Sequence, residues 1–307
     1  VSTPTILIVG SANVDLVTRV PRCPRPGETL LGRSFSVVMG GKGANQAVAA
    51  ARLGARTFFA GCVGNDAFGA MQREALAQEG IDLTYLKTHP SEPTGTAVIF
   101  VADEGQNSIV VTPAANYGIL PEDIAALKPL FSHIDAVLLQ LEIPLETVEA
   151  VLRLASEQKV LSILDAGPAQ KIPSTIIAQA DLISPNETEV EAITGVAVRS
   201  LDDARDAAEK LLEMGAQEVV LKLGSRGALY MGRDEWFHAP AFQIDPVDTV
   251  AAGDAFTAGL AIAWRSELYR RDAVRFANAA GAIAATRPGA QPSMPRRAEV
   301  DELLAKQ

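Results

Sequence analysis

Residues 145–164 read LETVEAVLRLASEQKVLSIL. Leu145, Val148, Leu152 and Ala155 recur at three- and four-residue spacing with charged residues between them, the pattern of a helix with one buried side. Val160 to Leu164 is then an apolar run too short for a second helix and followed by Asp165-Ala-Gly-Pro168, so it reads as a buried strand. The same unit recurs outward in both directions. Further strands are predicted at 6–9, 136–140, 181–184 and 218–222, and helices at 44–53, 67–78, 121–130, 187–193 and 201–214. Gly54, Gly80, Gly195 and Gly215 fall where helices should stop. The alternation predicts an α/β fold with a mostly parallel central sheet flanked by helices.

Two stretches, 14–38 and 94–111, are β-prone but broken by Pro, Gly and Asn, with no long helix inside them. They are expected to form a small antiparallel sheet beside the main one, a lid. From Val250 the chain turns helix-rich, with Phe256, Leu260 and Trp264 on one side of a first helix and a second helix over 269–286. No repeat, low-complexity tract or linker divides the chain, so 1–307 reads as a single domain with a β lid.

At 307 residues and 48% hydrophobic, the chain can bury a large core. No apolar run reaches the roughly 20 residues that span a bilayer, and Val1 to Val9 lack the basic flank of a secretory signal. A cytoplasmic protein is expected. Cys23 and Cys62 sit in no CxxC and near no histidine cluster, and read as free thiols. A net charge of −10 argues against nucleic-acid and membrane partners, although backbone N–H groups and a lysine can still hold a small anion. His89, His133 and His238 lack metal-ligand spacing, and no GxSxG occurs, so zinc and serine-nucleophile chemistry are not expected.

The richest segment for chemistry is Asp248-Thr-Val-Ala-Ala-Gly-Asp254-Ala-Phe256, in which small residues lead straight into a helix. Such a start exposes orphan N–H groups and a positive dipole end, suited to a transferring phosphoryl group with Asp254 beside it. A capping aspartate explains the segment equally well when it is taken alone. Gly40-Gly-Lys-Gly-Ala-Asn45 also opens a helix but is no P-loop, because Gly43 follows Lys42 where Ser or Thr is needed. Gly41 and Gly43 suit close approach of a polar ligand, and Lys42 and Asn45 can donate to hydroxyls; by itself the stretch is better explained as a turn with a solvated lysine. Asn13 and Asp15 lie two positions apart after the first strand, hence on one side of an extended chain, as two contacts to a polyol require. Ala12 and Asp15 occupy glycine positions of the dinucleotide fingerprint, which makes a nicotinamide enzyme a poor fit.

Gly224-Ser-Arg-Gly227 reads as a tight turn after a strand, a place where nucleotides collect and where Gly224, Ser225, Arg226 and Gly227 become candidate contacts. Asn186-Glu-Thr-Glu189 reads either as a capped helix start or as a pair, Asn186 and Glu189, that organises Mg²⁺ through water. Sequence alone leaves both open.

Together these segments resemble the ribokinase family of carbohydrate and nucleoside kinases, from Ile6 to Ser293. Two signatures carry the resemblance: Gly40-Gly-Lys-Gly-Ala-Asn-Gln-Ala with Gly61-Cys-Val-Gly-Asn-Asp-Ala-Phe-Gly69, and Asp248 to Gly259. The resemblance implies a three-layer fold and ATP-dependent phosphorylation of a sugar, with ribose at its 5-hydroxyl as the acceptor. Sugar contacts would fall on Asn13, Asp15, Gly41, Lys42, Gly43, Asn45, Glu142 and Asp254, with Asp254 as base. ATP contacts would fall on Asn186, Lys222, Gly224, Ser225, Arg226, Gly227, Gly253 and Asn278, and the N–H groups of Ala252, Gly253 and Asp254 would form an anion hole. A K⁺ loop is implied at Asp248, Val250, Ala284, Arg287, Gly289 and Ser293, chiefly through carbonyls, and a homodimer through the lid. Two departures stand out. Asp165-Ala-Gly-Pro-Ala169 replaces an Asn-Pro-Ala-Pro-like run, and Pro113-Ala-Ala-Asn116 replaces a Pro-Gly-Ala-Asn-like turn. A kinase of the same family acting on deoxyribose, another sugar or a nucleoside is the nearest alternative, and a non-catalytic sugar or nucleotide sensor that has kept the fold is the alternative from another class.

Overall fold

The computed structural model describes residues 3–104, 106–265 and 269–306. Val1, Ser2 and Gly105, which belong to the start and to the second lid stretch, lie outside the described residues. In chain order the elements are β1 (Thr5–Val9), β2 (Asn13–Val20), β3 (Ser34–Gly40), α1 (Lys42–Arg52), β4 (Arg56–Gly64), α2 (Ala67–Gln78), β5 (Asp82–His89), β6 (Gly95–Ala102) and β7 (Asn107–Thr112). There follow α3 (Pro121–Ala125), α4 (Lys128–Phe131), β8 (Ala136–Leu139), α5 (Leu145–Gln158), β9 (Leu161–Asp165), α6 (Ser174–Ile177), β10 (Leu182–Ser184), α7 (Glu187–Thr194) and α8 (Leu201–Glu213). The chain ends with β11 (Glu218–Lys222), β12 (Ala228–Met231), β13 (Trp236–Ala239), α9 (Ala252–Arg265), α10 (Arg270–Ala285) and α11 (Arg297–Lys306).

The main sheet has nine strands in the order β13-β12-β11-β10-β9-β8-β1-β4-β5. Every pairing from β11 to β5 is parallel, and only the β12–β13 edge is antiparallel. Successive strand residues face opposite layers, so Ile6 and Ile8 join a core under α1, α9 and α10, while Leu7 and Val9 join another under α5 and α8. With both faces covered, the free ground for ligands lies at the strands' carboxyl ends.

The second sheet runs β3-β2-β6-β7 and covers that end. Its expected antiparallel character needs correction, because β2 pairs with β6 in parallel from Asn13↔Gly95 to Val20↔Ala102. Both strands leave the main body in the same direction, and the long crossover between them, α1 to β5, makes a parallel pair possible. The helix expected over 121–130 is two short ones, since Pro129 cannot donate to Ala125 and its ring crowds that carbonyl. β4 escaped the sequence pattern because Gly61 and Gly64 dilute it; there a Cβ would come within 2.7 Å of Gly10 O and 2.5 Å of Thr94 N. Gly54, Gly80, Gly195 and Gly215 do end helices, all at positive φ.

Candidate active site

Asp254 lies in the first turn of α9 and is 4% exposed. Ala251, just before the helix, has φ 60°, a left-handed conformation that an alanine adopts at a cost and that turns the following N–H groups outward. Among the described residues the N–H groups of Gly253 and Asp254 have no acceptor, whereas that of Ala252 donates to Thr249 O at 3.2 Å. Asn45 Nδ2 donates to Asp254 Oδ2 at 2.9 Å, and Asn45 Oδ1 is buried without a partner among the described residues. Burial, joined by Asp165 and Glu142, outweighs Lys42 and Asn45 and pushes the Asp254 carboxyl up to about 6.

Gly41 and Gly43 explain how α1 reaches this point. A Cβ on Gly41, at φ 90°, would stand 2.5 Å from Asn13 N, and one on Gly43 would stand 2.6 Å from Ser11 N. The close approach these glycines allow is therefore to the chain's own backbone, and Ala44 N seals it by donating to Ser11 O at 2.8 Å. Their small size is thus needed for this backbone packing, whatever further contact they make with a ligand. Lys42 lies under Gly167, where a Cβ would meet both its Nζ and Glu189 Oε1. Burial works against its charge, but Asp254, Asp165, Glu189 and Glu142 outweigh burial and hold the ammonium firmly protonated. It borders the nucleotide-sized cleft as well as the sugar set.

On the lid side, Asn116 Nδ2 donates to Asn13 Oδ1 at 2.6 Å, leaving Asn13 its amide hydrogens for a ligand. Asp15, 8% exposed, makes no hydrogen bond or ion pair among the described residues; burial and the nearby Glu142 and Asp254 push its carboxyl up to about 7. Glu142 Oε2 is held by Ser11 Oγ and by Lys42 N at 3.0 Å. Asn13, Asn116 and Glu142 line a cavity of about 270 Å³ between lid and main body. At the lid's root, Gln72 Nε2 donates to the paired residues' carbonyls, Asn13 O and Gly40 O, and Gln72 Oε1 accepts from Gln291 at 3.4 Å.

Across Asp254 a cleft of about 540 Å³ opens, a size that suits a nucleotide. Asn186, Glu189, Lys222, Gly224, Ser225, Gly227, Gly253 and Asn278 line it, with Phe242 and Ile244 forming an apolar wall that the sequence did not disclose. Arg226 is not brought in. Its guanidinium turns to Glu187 at 3.4 Å and to Arg199 O at 3.1 Å. Lys222 Nζ lies 3.0 Å from Asp165 Oδ1 and 3.9 Å from Glu189 Oε2. Asn186 caps α7 and Glu189 answers with a bond from Asn186 N at 2.7 Å, so the capping box is real. Both residues still face the cleft, and their committed oxygens suit a metal held through water better than directly.

Asp248 ties the two halves of the implied cation loop: Oδ1 accepts from Val250 N and Oδ2 from Gly289 N, each at 3.0 Å. The Ala284 carbonyl accepts from Arg287 N at 3.2 Å, the Arg287 guanidinium pairs with Glu299, and Ser293 Oγ donates to Ala290 O at 2.8 Å. With the one carboxylate occupied, the remaining donors are carbonyls, which fit a large monovalent ion. Among the described residues no cluster of three or more His, Cys, Asp or Glu suits a metal, and no helix is long and apolar enough to cross a membrane.

Three buried residues of the site went unassigned in the sequence. Gln46 and Gln140 are fully buried, and Asp165 at the end of β9 takes four donors. A signal existed for the first: a long amide in a helix face otherwise made of Ala44, Ala47, Ala49 and Ala50. Ala114, which replaces the family's glycine, adopts φ 43° and so carries strain beside Asn116.

The pfkB family carbohydrate kinase pattern matches residues 3–297. The chain belongs to this family and is a sugar kinase, a phosphotransferase with an alcohol acceptor. More narrowly, it is 40% identical over 300 residues to the ribokinase of Haemophilus influenzae, 98% of each chain. It is 36% identical over 305 residues to the deoxyribokinase of Salmonella typhi, again 98% of each. The structure of Arabidopsis thaliana ribokinase complexed with ribose and ATP matches it with a TM-score of 0.92 at 35% identity, covering 99% of both chains.

Proposed function

We propose that the chain transfers the γ-phosphoryl group of ATP to the 5-hydroxyl of D-ribose, with Asp254 taking the hydroxyl proton. The observation that carries this reading is the position of Asp254, bound by Asn45 of the sugar set on one side and bordering the nucleotide-sized cleft on the other. Its carboxyl, pushed up to about 6, is largely ionised at neutral pH yet more basic than an exposed aspartate. The sugar's hydroxyls would donate to Asp15, Glu142 and Asn45 Oδ1 and accept from Asn13 and Lys42. Phosphates would meet Lys222, Lys42 and the N–H groups of Gly253 and Asp254, where developing charge is stabilised electrostatically. Mg²⁺, when bound with ATP, neutralises phosphate charge; Asn186 and Glu189 would hold its waters. The carbonyls around Asp248 and Ser293 would hold K⁺ and shape the start of α9.

The lid's outer face carries Phe35, Val37 and Val110, all exposed, and this supports pairing of two lids in a homodimer. The free thiols Cys23 and Cys62 agree with a cytoplasmic setting. ADP release measured with ribose, deoxyribose, other sugars and nucleosides, with and without K⁺, tests the assignment. Ribose should give the highest kcat/KM; a preference for deoxyribose or a nucleoside sinks the ribose reading, and binding without product in every case favours a sensor.

A further inference from the structure

Asp165 is fully buried at the end of β9, and all of its acceptor capacity is used. Oδ1 accepts from Lys222 Nζ at 3.0 Å and Gly167 N at 3.3 Å; Oδ2 accepts from Thr257 Oγ1 at 2.8 Å and Gln46 Nε2 at 3.0 Å. A carboxylate so engaged is an anchor and has no lone pair left for a substrate proton. The second hydrogen of the Gln46 amide reaches Asp254 Oδ1 at 3.4 Å. Gln46 Oε1 in turn accepts from Gln140 Nε2 at 2.6 Å. The polarity of this chain has one consistent solution: two carboxylates require the NH₂ of Gln46, so its oxygen faces Gln140, which must present its own NH₂. Gln140 Oε1 is left buried without a partner among the described residues, the local cost of that arrangement.

We propose that Gln46, fixed by Asp165 and Gln140, is a positioning residue that orients the Asp254 carboxylate and favours its ionised form. This rests on Asp254 as the base. With Asn45 on Oδ2 and Gln46 on Oδ1, each carboxylate oxygen accepts one amide, which restrains rotation of the carboxylate and leaves each oxygen a lone pair for an entering hydroxyl. The charged groups around Asp254 are Lys42 of α1, Asp165 after β9, Glu142 after β8 and Asp15 of β2, with Lys222 and Glu189 beyond Asp165. Three of the four nearest are anionic. A neutral donor steadies a second carboxylate there without adding charge, and a side-chain amide, with two hydrogens, can serve both carboxylates at once.

Gln46→Met keeps the length and removes the donor. It should lower kcat about 10- to 100-fold, the loss of one hydrogen bond to a charge, with KM for ATP within about threefold of wild type. ¹³C NMR of protein labelled at aspartate Cγ, with Asp254→Asn for assignment, follows the carboxyl without requiring turnover. The Asp254 midpoint, about 6 in the wild type, should move upward in Gln46→Met, because the lost bond favoured the charged form. If Gln46→Met does not fold, Gln140→Leu tests the same point: it removes the unpartnered Gln140 oxygen but takes the donor from Gln46 Oε1, so it should lower kcat with only a small change in Tm. An unmoved midpoint with wild-type kcat in the variant that folds overturns the inference. Loss of phosphoryl transfer to every acceptor in wild type would instead sink the proposed function, while the NMR midpoint still decides the role of Gln46.

Discussion

The two sides of Asp254 handle charge in opposite ways. Toward the lid, Asp15 has no hydrogen-bonded or cationic partner among the described residues, and it shares its cavity's electrostatics with Glu142 and Asp254. Toward the cleft, charge is paired: Lys222 with Asp165 and Glu189, and Glu189 with the start of α7. A ligand rich in hydroxyl donors stabilises the first kind of site by its arrival. A ligand that brings its own negative charge requires the second, where lysines are already aimed and desolvated. Lys42 belongs to both, since its ammonium is surrounded by carboxylates from each side.

The contrast can be broken most severely at its boundary. Asp254→Asn should lower kcat on the order of 10² to 10⁴ while calorimetry still detects ATP and sugar binding; near-normal turnover would remove Asp254 as the base. Wild-type kcat should fall as pH drops through about 6, where the carboxyl gains its proton. On the paired side, Lys222→Met leaves Asp165 without its closest cation and should cost about 3 to 5 kcal/mol of stability by denaturant unfolding, together with a raised KM for ATP. A merely local effect on sugar KM would contradict the division.

On the unpaired side the sign reverses. The native Asp15 carboxyl, at about 7, holds its proton well above the ordinary 3.8. Its favourable contribution is therefore full below about pH 4 and lost as pH rises through 7. Asp15→Asn should raise stability at pH 8 by on the order of 2 kcal/mol, change little at pH 4, and weaken sugar binding at least tenfold. The smallest effect is expected at Ala114, whose left-handed backbone suits glycine better: Ala114→Gly should add about 0.5 to 1 kcal/mol, read as a rise in Tm with unchanged kinetics. A loss there would mean that the methyl group packs usefully.

Much of this was legible in the chain itself. The strands around β1, β8, β9 and β11 announced themselves because both faces are buried and their sequences are nearly continuous apolar runs. The glycine-containing β4 and the antiparallel edge β12–β13 were not, since close backbone approach removes side chains from one and a hairpin follows no helix in the other. Asn13, Asp15, Asn45 and Asp254 could be selected individually as polar residues at or near element starts, whereas Lys222 came only with the family resemblance. Their mutual arrangement could not be read, because Gln46 reaches Gln140, Asp165 and Asp254 at sequence separations of 94 to 208. The apolar wall at Phe242 and Ile244 was equally invisible, lying in a segment without regular structure.

Gln72 belongs to neither cavity, yet its amide fastens the first residue of β2 and the last of β3 to one point on α2, with Gln291 behind it. Mechanically this is a rivet. A sheet pinned at its root bends outward from the far end, so Asn13 stays with the main body whatever the tips of β2 and β3 do. In the proposed site, Asn13 would thus be in place before a sugar arrives, as part of a floor already laid.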